Sequence, residues 1–392
     1  MKRWKHDREK DADRWSHYDK IGRHKKKTPK SADLIEEFEL SEIECQEKTV
    51  AGGAFIGRVV EVHKGYSFIV TEPEFGKLNS KDIWIATIAR KFLVAKRESR
   101  NFVCVGDRVL CEPTQDIQKS VKSNLPQCVI TQLIQRRSKI SRLDPICPER
   151  EHILASNIDQ ILIVASYLSP KIKWGLIDRY LTLAESEEIK SIIVLTKKDL
   201  LEEDIESQCD ANEKIEIYKK LGYEVLSLQA NRENSDDLEI KKLHKILENN
   251  ITLLSGHSGV GKSTLVNLFS PEIIQAVEPD DELFYKGRHT TTFASFIKLG
   301  ITSGYVVDTP GIRSFLINEY SSIQLTHCFR EMREFIGKCK YRECRHVEEP
   351  DCMVKEAVKE GKISSWRYKS YLGILLGATG REGRLRESDI EI

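Results

Sequence analysis

Eight residues, Gly256-His257-Ser258-Gly259-Val260-Gly261-Lys262-Ser263, satisfy G-x-x-x-x-G-K-[ST] without a mismatch and stand between an apolar run, Ile251–Ser255, and a helical pattern at 264–269. No other feature constrains the fold as strongly. Glycines at these positions let successive backbone N–H groups turn inward, so that a loop of this kind cradles phosphate oxygens at a helix N-terminus. Lys262 supplies a point charge for β- and γ-phosphates, the Ser263 hydroxyl suits Mg2+, and Thr264 continues into the helix. A buried strand before the loop and a helix after it require a wound α/β sheet around them.

Two further motifs give the loop company. Asp308-Thr309-Pro310-Gly311 ends a hydrophobic strand about 45 residues downstream. A carboxylate there can hold Mg2+ through water, and the Gly311 N–H can face a γ-phosphate. Without the loop upstream, the same four residues are an ordinary turn. Between the two lies Gly287-Arg288-His289-Thr290-Thr291-Thr292, ahead of a strand pattern at 293–299. Thr291 or Thr292 could close on the same Mg2+, although a Thr cluster is also simply β-prone. Upstream, Thr196-Lys197-Lys198-Asp199 comes after a buried strand and fits [NT]-K-x-D. The Asp199 carboxylate can accept from guanine N1–H and the 2-amino group, donors that adenine lacks, and the Lys197 stem can stack along a purine. A charged helix start after a strand gives the same tetrapeptide, so the motif gains force from its neighbours. Ser227-Leu228-Gln229-Ala230 ends the next strand, where a second loop would touch the base.

The order is unusual. Ordinary GTPases carry the phosphate loop first and the base reader last, whereas here the base reader precedes the loop by about 60 residues. The strand pattern is intact, so the sheet closes with its chain ends moved, and its new end falls just after 308–311. The segment beyond that point is wired to the part that senses a γ-phosphate. This segment carries Cys339-x4-Cys344-x-His346-x5-Cys352. Three thiolates and one imidazole make a full tetrahedral set for a structural Zn2+, with no position open for catalytic water. Lys340, Arg342 and Arg345 interleave with these ligands and could face phosphate.

The remaining chain supplies the frame. Residues 1–50 lack sustained periodicity. Their first 30 hold twelve Lys/Arg against five Asp/Glu, ahead of an acidic stretch at 31–47. Such a tail contacts nucleic acid or stays a solvated leader. Five short β-rich segments come next, at Phe55–Val62, 66–70, 82–86, 103–112 and Gln127–Ile134, and predict a small closed barrel, with the OB-fold as candidate. The gap after the third carries Arg90, Lys91, Lys96, Arg97 and Arg100, suited to a nucleic-acid backbone. After a polar stretch at 136–151, buried strands at 160–167, 191–196 and 224–228 alternate with helical patterns, which predicts a mostly parallel, doubly wound sheet. Net charge is +1, so overall electrostatics name no partner. The chain has no apolar run of about 18 residues for a membrane span and no hydrophobic segment of the secretory kind at its start. Its ten cysteines are therefore expected as thiols in a cytoplasmic protein.

Together these residues resemble the RsgA family, also called YjeQ, of small-ribosomal-subunit-dependent GTPases. The resemblance spans roughly 54–371 and includes Asn157-Ile158-Asp159-Gln160 and Leu176-Ile177-Asp178-Arg179-Tyr180. It implies a multidomain protein: an all-β OB-fold barrel at 51–138, an α/β P-loop GTPase domain in circularly permuted order at 150–320, and a small α-helical zinc-binding segment at 321–375. Tails at 1–50 and 376–392 flank them. It implies hydrolysis of GTP to GDP, stimulated by the small ribosomal subunit and its rRNA, late in maturation of that subunit, by a monomer that touches no membrane. Many GTPases place a catalytic Gln just after Asp-x-x-Gly; here Ile312 occupies that place, and the family uses a histidine of the first switch, which His289 matches. With Lys262 it forms the catalytic pair of this reading. Thr196 stands where Asn is common, which weakens one base contact. Two rivals remain: an ATP-using enzyme on the same loop, against which 196–199 argues, and a non-catalytic RNA-binding protein whose nucleotide domain is only a switch.

Overall fold

The computed structural model describes residues 39–40, 53–63, 65–74, 77–89, 102–114, 125–143, 151–201, 205–229, 238–270, 295–300, 303–308 and 320–379. A two-residue strand β1 (Glu39–Leu40) precedes five that form a ring: β2 (Phe55–Val62), β3 (Ser67–Glu74), β4 (Lys77–Ile88), β5 (Arg108–Pro113) and β6 (Gln127–Ile134). β2 pairs with β3 and β5, β3 with β4, and β5 with β6, all antiparallel, while β4 and β6 close the circuit in parallel. Their alternating apolar residues meet inside, where Val59, Ile69, Val109, Cys111 and Ile130 are fully buried. Closure leaves the five strands no free edge, which is how a small all-β unit avoids edge pairing.

One expected strand begins later than its hydrophobicity implies. Residues 102–107 form turns, and β5 starts at Arg108. The Asp107 carboxylate accepts from the Cys104 amide at 2.8 Å, a local bond that competes with a sheet ladder. Asp107 also accepts from Arg136 and from the Ser156 hydroxyl, at 2.6–2.8 Å. Ser156 ends a hairpin, β7 (Lys139–Leu143) with β8 (Glu151–Ser156), that occupies part of the stretch expected to be a polar connector. The hairpin thus rests on the barrel through this buried carboxylate, through the Ser156 amide bonded to the Val105 carbonyl at 2.9 Å, and through Ile140 and Ala155 packed with Val105.

The second sheet runs β13-β14-β12-β9-β10-β11. In chain order it comprises β9 (Gln160–Ser166), α1 (Trp174–Ser186), β10 (Lys190–Thr196), α2 (Ile205–Lys220), β11 (Glu224–Ser227), α3 (Leu238–Leu247), β12 (Ile251–Ser255), α4 (Lys262–Phe269), β13 (Ser295–Lys298) and β14 (Tyr305–Asp308). β13 is antiparallel to β14, and the other pairings are parallel. Every residue of β9 is buried. Ile161 and Ile163 pack with Ile177 and Leu181 of α1, while Leu162 and Val164 pack with Leu243 of α3 and Leu265 of α4. A strand covered on both faces reads as the continuous apolar run that its sequence displays. Ser295 of β13 pairs with Glu61 of β2, so the barrel continues the sheet.

The C-terminal segment holds α5 (Ser322–Cys328), a 3-10 turn at Arg330–Phe335, α6 (Met353–Lys359) and α7 (Ser365–Thr379). Ser321 and Gln324 form a reciprocal capping box that fixes where α5 starts. Among the described residues, no helix is long and apolar enough to cross a membrane.

Candidate functional site

β12 delivers the chain to the phosphate-loop motif. A Cβ at Gly256 would lie 2.1 Å from the Val164 carbonyl oxygen, so only glycine lets the end of β12 run this close to β9. Gly261, at φ 95°, is the N-cap of α4 and offers no side-chain acceptor, so no cap side chain occupies the helix N-terminal amides. The Lys262 ammonium donates to the carbonyls of Gly256 at 2.8 Å and His257 at 2.7 Å and so lies across the loop. His257, Ser258 and Gly259 are exposed at the rim with Ser263 and Thr264, whereas Val260 is buried. The His257 ring stays local, 3.0 Å from the Ser258 carbonyl.

The base-reading motif sits against this loop. Thr196 ends β10, and its hydroxyl donates to the Val260 carbonyl at 2.6 Å. The Lys197 ammonium donates to the Gly259 carbonyl at 2.9 Å and also to the Ser169 carbonyl. Lys198 and Asp199 are exposed in the 3-10 turn Lys198–Leu201. Beside them, the Ser227 hydroxyl bonds Tyr167 at 2.7 Å and the Leu228 amide donates to Leu195 at 2.7 Å, which brings the end of β11 to the same rim. Ala230 lies outside the described residues. Asp308, half-buried at the end of β14, pairs in register with Leu254 and so stands two residues short of Gly256. The remaining switch residues, His289, Thr291, Thr292 and Gly311, lie outside the described residues, as does the basic stretch 90–100.

The ligand atoms of Cys339, Cys344, His346 and Cys352 all lie within 4.8 Å of one another. His346 Nδ1 is 3.3 Å from the Cys352 sulfur and 3.6 Å from that of Cys339, and the two sulfurs are 3.9 Å apart. A tetrahedral ion with bonds of about 2.0–2.3 Å spaces its ligands at roughly 3.4–3.8 Å, so the set fits a metal ion. The turn is held from outside: Glu349 accepts from the amides of Arg345 and Val347, both at 2.9 Å, and the Tyr368 hydroxyl donates to the His346 carbonyl at 2.5 Å. Burial pushes the Cys344 thiol up to about 12, so the charge of a cation is what would make it a thiolate.

A set of residues that pattern reasoning did not single out joins this segment to the sheet. The Arg367 guanidinium of α7, 1% exposed, pairs with Asp178 of α1 and with Glu331, the latter through Nε at 2.6 Å. Burial pushes the Asp178 carboxyl up, and Arg367 foremost, with Ser370 and Tyr218, draws it back. Arg330 pairs with Glu185 at 2.7 Å and stacks 4.0 Å from the Tyr223 ring centroid. Asp178 lies in the Leu-Ile-Asp-Arg-Tyr stretch, but nothing in the sequence names a partner 189 residues away.

A family model described as RsgA GTPase matches residues 133–318. A relative from Chlorobaculum parvum, named small ribosomal subunit biogenesis GTPase RsgA, is 36% identical over 287 residues, covering 72% of this chain and 87% of its own. The protein of the same name from Azobacteroides pseudotrichonymphae is 33% identical over 290 residues, covering 74% and 88%. Among solved structures, YjeQ from Thermotoga maritima aligns with a TM-score of 0.62 at 28% identity, over 84% of this chain and 100% of that one. YloQ, described as a circularly permuted GTPase, aligns with a TM-score of 0.60 at 26% identity, over 84% and 97%.

Proposed function

Because this chain belongs to the RsgA family of GTPases, and so is a GTP hydrolase on a circularly permuted fold, we propose that it acts on the small ribosomal subunit during its maturation, as the names of its relatives say of them. The observation that carries the site assignment is the pair of bonds from Thr196 and Lys197 to the carbonyls of Val260 and Gly259. They unite the ends of two strands that the permuted order separates by about 60 residues, the arrangement one nucleotide bound by both motifs requires.

In this reading the loop amides and Lys262 hold the β- and γ-phosphates, with Gly256 to Thr264 forming the cradle. Asp199 takes guanine, with Lys197 and Lys198 beside it. Ser263, Asp308, Thr291 or Thr292 would hold Mg2+, which supplies charge neutralisation for the phosphates, and Gly311 would face the γ-phosphate. His289 is assigned the attacking water by resemblance. The protein works as a cytoplasmic monomer whose barrel and zinc segment flank the GTPase sheet and meet rRNA through basic residues such as Lys340, Arg342 and Arg345, with strong salt dependence. Steady-state GTP hydrolysis with purified small subunits, large subunits and free tRNA at fixed salt tests it. Small subunits alone should raise turnover by about 10²-fold or more, as partner-supplied ordering does in other GTPases. Equal stimulation by all three, or by none, would refute the assigned partner.

The metal is Zn2+, by the chemistry of its donors: three sulfurs and one imidazole nitrogen at tetrahedral spacing. Cys344→Ser is expected to release it and to loosen 320–379 while the parallel sheet stays folded, because the ligands share a core with Phe329, Val354 and Tyr371 rather than with the sheet. Metal analysis of the purified protein checks this, and a wild-type protein without zinc would sink it.

A further inference from the structure

Thr196 opens the base-reading motif, yet its hydroxyl is bonded to the phosphate loop. Its hydrogen bond goes to the Val260 carbonyl at 2.6 Å, its other neighbour is the Ala165 carbonyl at 3.3 Å, and the residue is 1% exposed. Both neighbours are acceptors, and a hydroxyl has one proton to give. Purine N7 is likewise a bare acceptor. For Thr196 to read it, the Val260 carbonyl would lose its donor in a buried site, a cost that cancels the gain. Lys197 is also committed, to the carbonyls of Gly259 and Ser169. The Thr196 side chain packs over Gly261 as well, since a Cβ built at Gly261 would lie 3.6 Å from Oγ1.

We propose that Thr196 is a positioning residue for the phosphate loop, and that guanine is selected through its Watson–Crick edge by Asp199, with N7 left unread by this motif. The proposal rests on the reading of 196–199 as the base reader. An amide side chain in place of Thr196 carries two protons on one nitrogen and could serve the Val260 carbonyl and N7 together. Threonine cannot.

The experiment is competition of GTP, 7-deaza-GTP and inosine triphosphate against a fluorescent GDP analogue on the full chain. 7-Deaza-GTP lacks the N7 acceptor, and inosine triphosphate lacks the 2-amino donor. 7-Deaza-GTP is expected to bind within about threefold of GTP, since a lost neutral hydrogen bond of ordinary strength costs more than that. Inosine triphosphate should bind on the order of 10-fold more weakly, as loss of a hydrogen bond to a charged group does. A loss of about threefold or more for 7-deaza-GTP overturns the proposal. Inosine triphosphate binding as well as GTP would instead overturn the base-reader assignment itself. Thr196→Val keeps the shape and removes the proton. It should weaken GTP, GDP and 7-deaza-GTP by one common factor, whereas a base-reading hydroxyl would cost GTP more than 7-deaza-GTP. Thr196→Asn should create sensitivity to 7-deaza substitution that the natural residue lacks.

Discussion

Lys262→Ala is expected to lower GTP turnover by about 10²–10³-fold, the loss seen when one preorganised donor to developing charge is removed. The side chain lies across the loop, held by the Gly256 and His257 carbonyls. Binding a triphosphate exchanges two neutral acceptors for charged oxygens, and the stronger charge-assisted bonds supply the gain. The fold should survive. Val260, Leu265 and Val266, which carry the loop and α4 on the core, do not depend on the ammonium. Lys262→Arg should fail almost as badly, since a planar fork does not replace a compact point charge in a narrow loop. Turnover per folded protein, with circular dichroism to verify folding, decides the matter. Wild-type rates in Lys262→Ala would remove 256–263 from the catalytic site.

The second large effect is structural. Arg367→Met should destabilise the docked C-terminal segment by about 3–5 kcal/mol, the cost of leaving one partner of a buried ion pair uncompensated. Asp178 is fully buried, and Tyr218, which donates to it at 2.6 Å, cannot neutralise a carboxylate. Adding Asp178→Asn and Glu331→Gln to Arg367→Met should recover most of the loss, because removing all three charges removes the penalty that removing the arginine alone creates. Trp366 and Trp174, with ring centroids 6.3 Å apart across the same contact, supply a fluorescence signal for urea unfolding. A cost below about 1 kcal/mol would mean that the pair behaves as a surface salt bridge.

The reach of sequence reasoning in this chain is set by the range of the interactions. The buried strands Gln160–Ser166 and Ile251–Ser255 are legible because burial on both faces writes itself into consecutive apolar residues. The phosphate loop is legible because its glycines answer to local backbone geometry, and the metal set because its four donors fall within one turn-rich stretch. Residues 102–107 mislead because Val103 and Val105 look like a strand, while the Asp107 carboxylate that folds them into turns draws its other partners from as far as Ser156. The β7–β8 hairpin escapes pattern reading since much of it is polar and short, and its support comes from the barrel. Thr196 is recognisable as part of a motif, but the direction of its hydroxyl depends on Val260, 64 residues on. Arg367 offers no signal at all: a lone arginine in a helix reads as a surface charge until Asp178 and Glu331 are brought to it.

The sequence separation of 189 from Asp178 to Arg367 also imposes an order in time. At synthesis rates of about 5–20 residues per second, Arg367 is made roughly 10–40 s after its partner. During that interval α1 and α2 lack the contacts that Arg367, Trp366 and Arg330 make with Asp178, Trp174, Tyr218 and Tyr223. A released fragment ending at 319 is expected to be cut by protease within these helices far faster than the whole chain, and equal resistance would refute the dependence. A nascent chain of this protein therefore lacks the partner of Asp178 until Arg367 has been made, and termination before that point leaves this face of α1 uncovered.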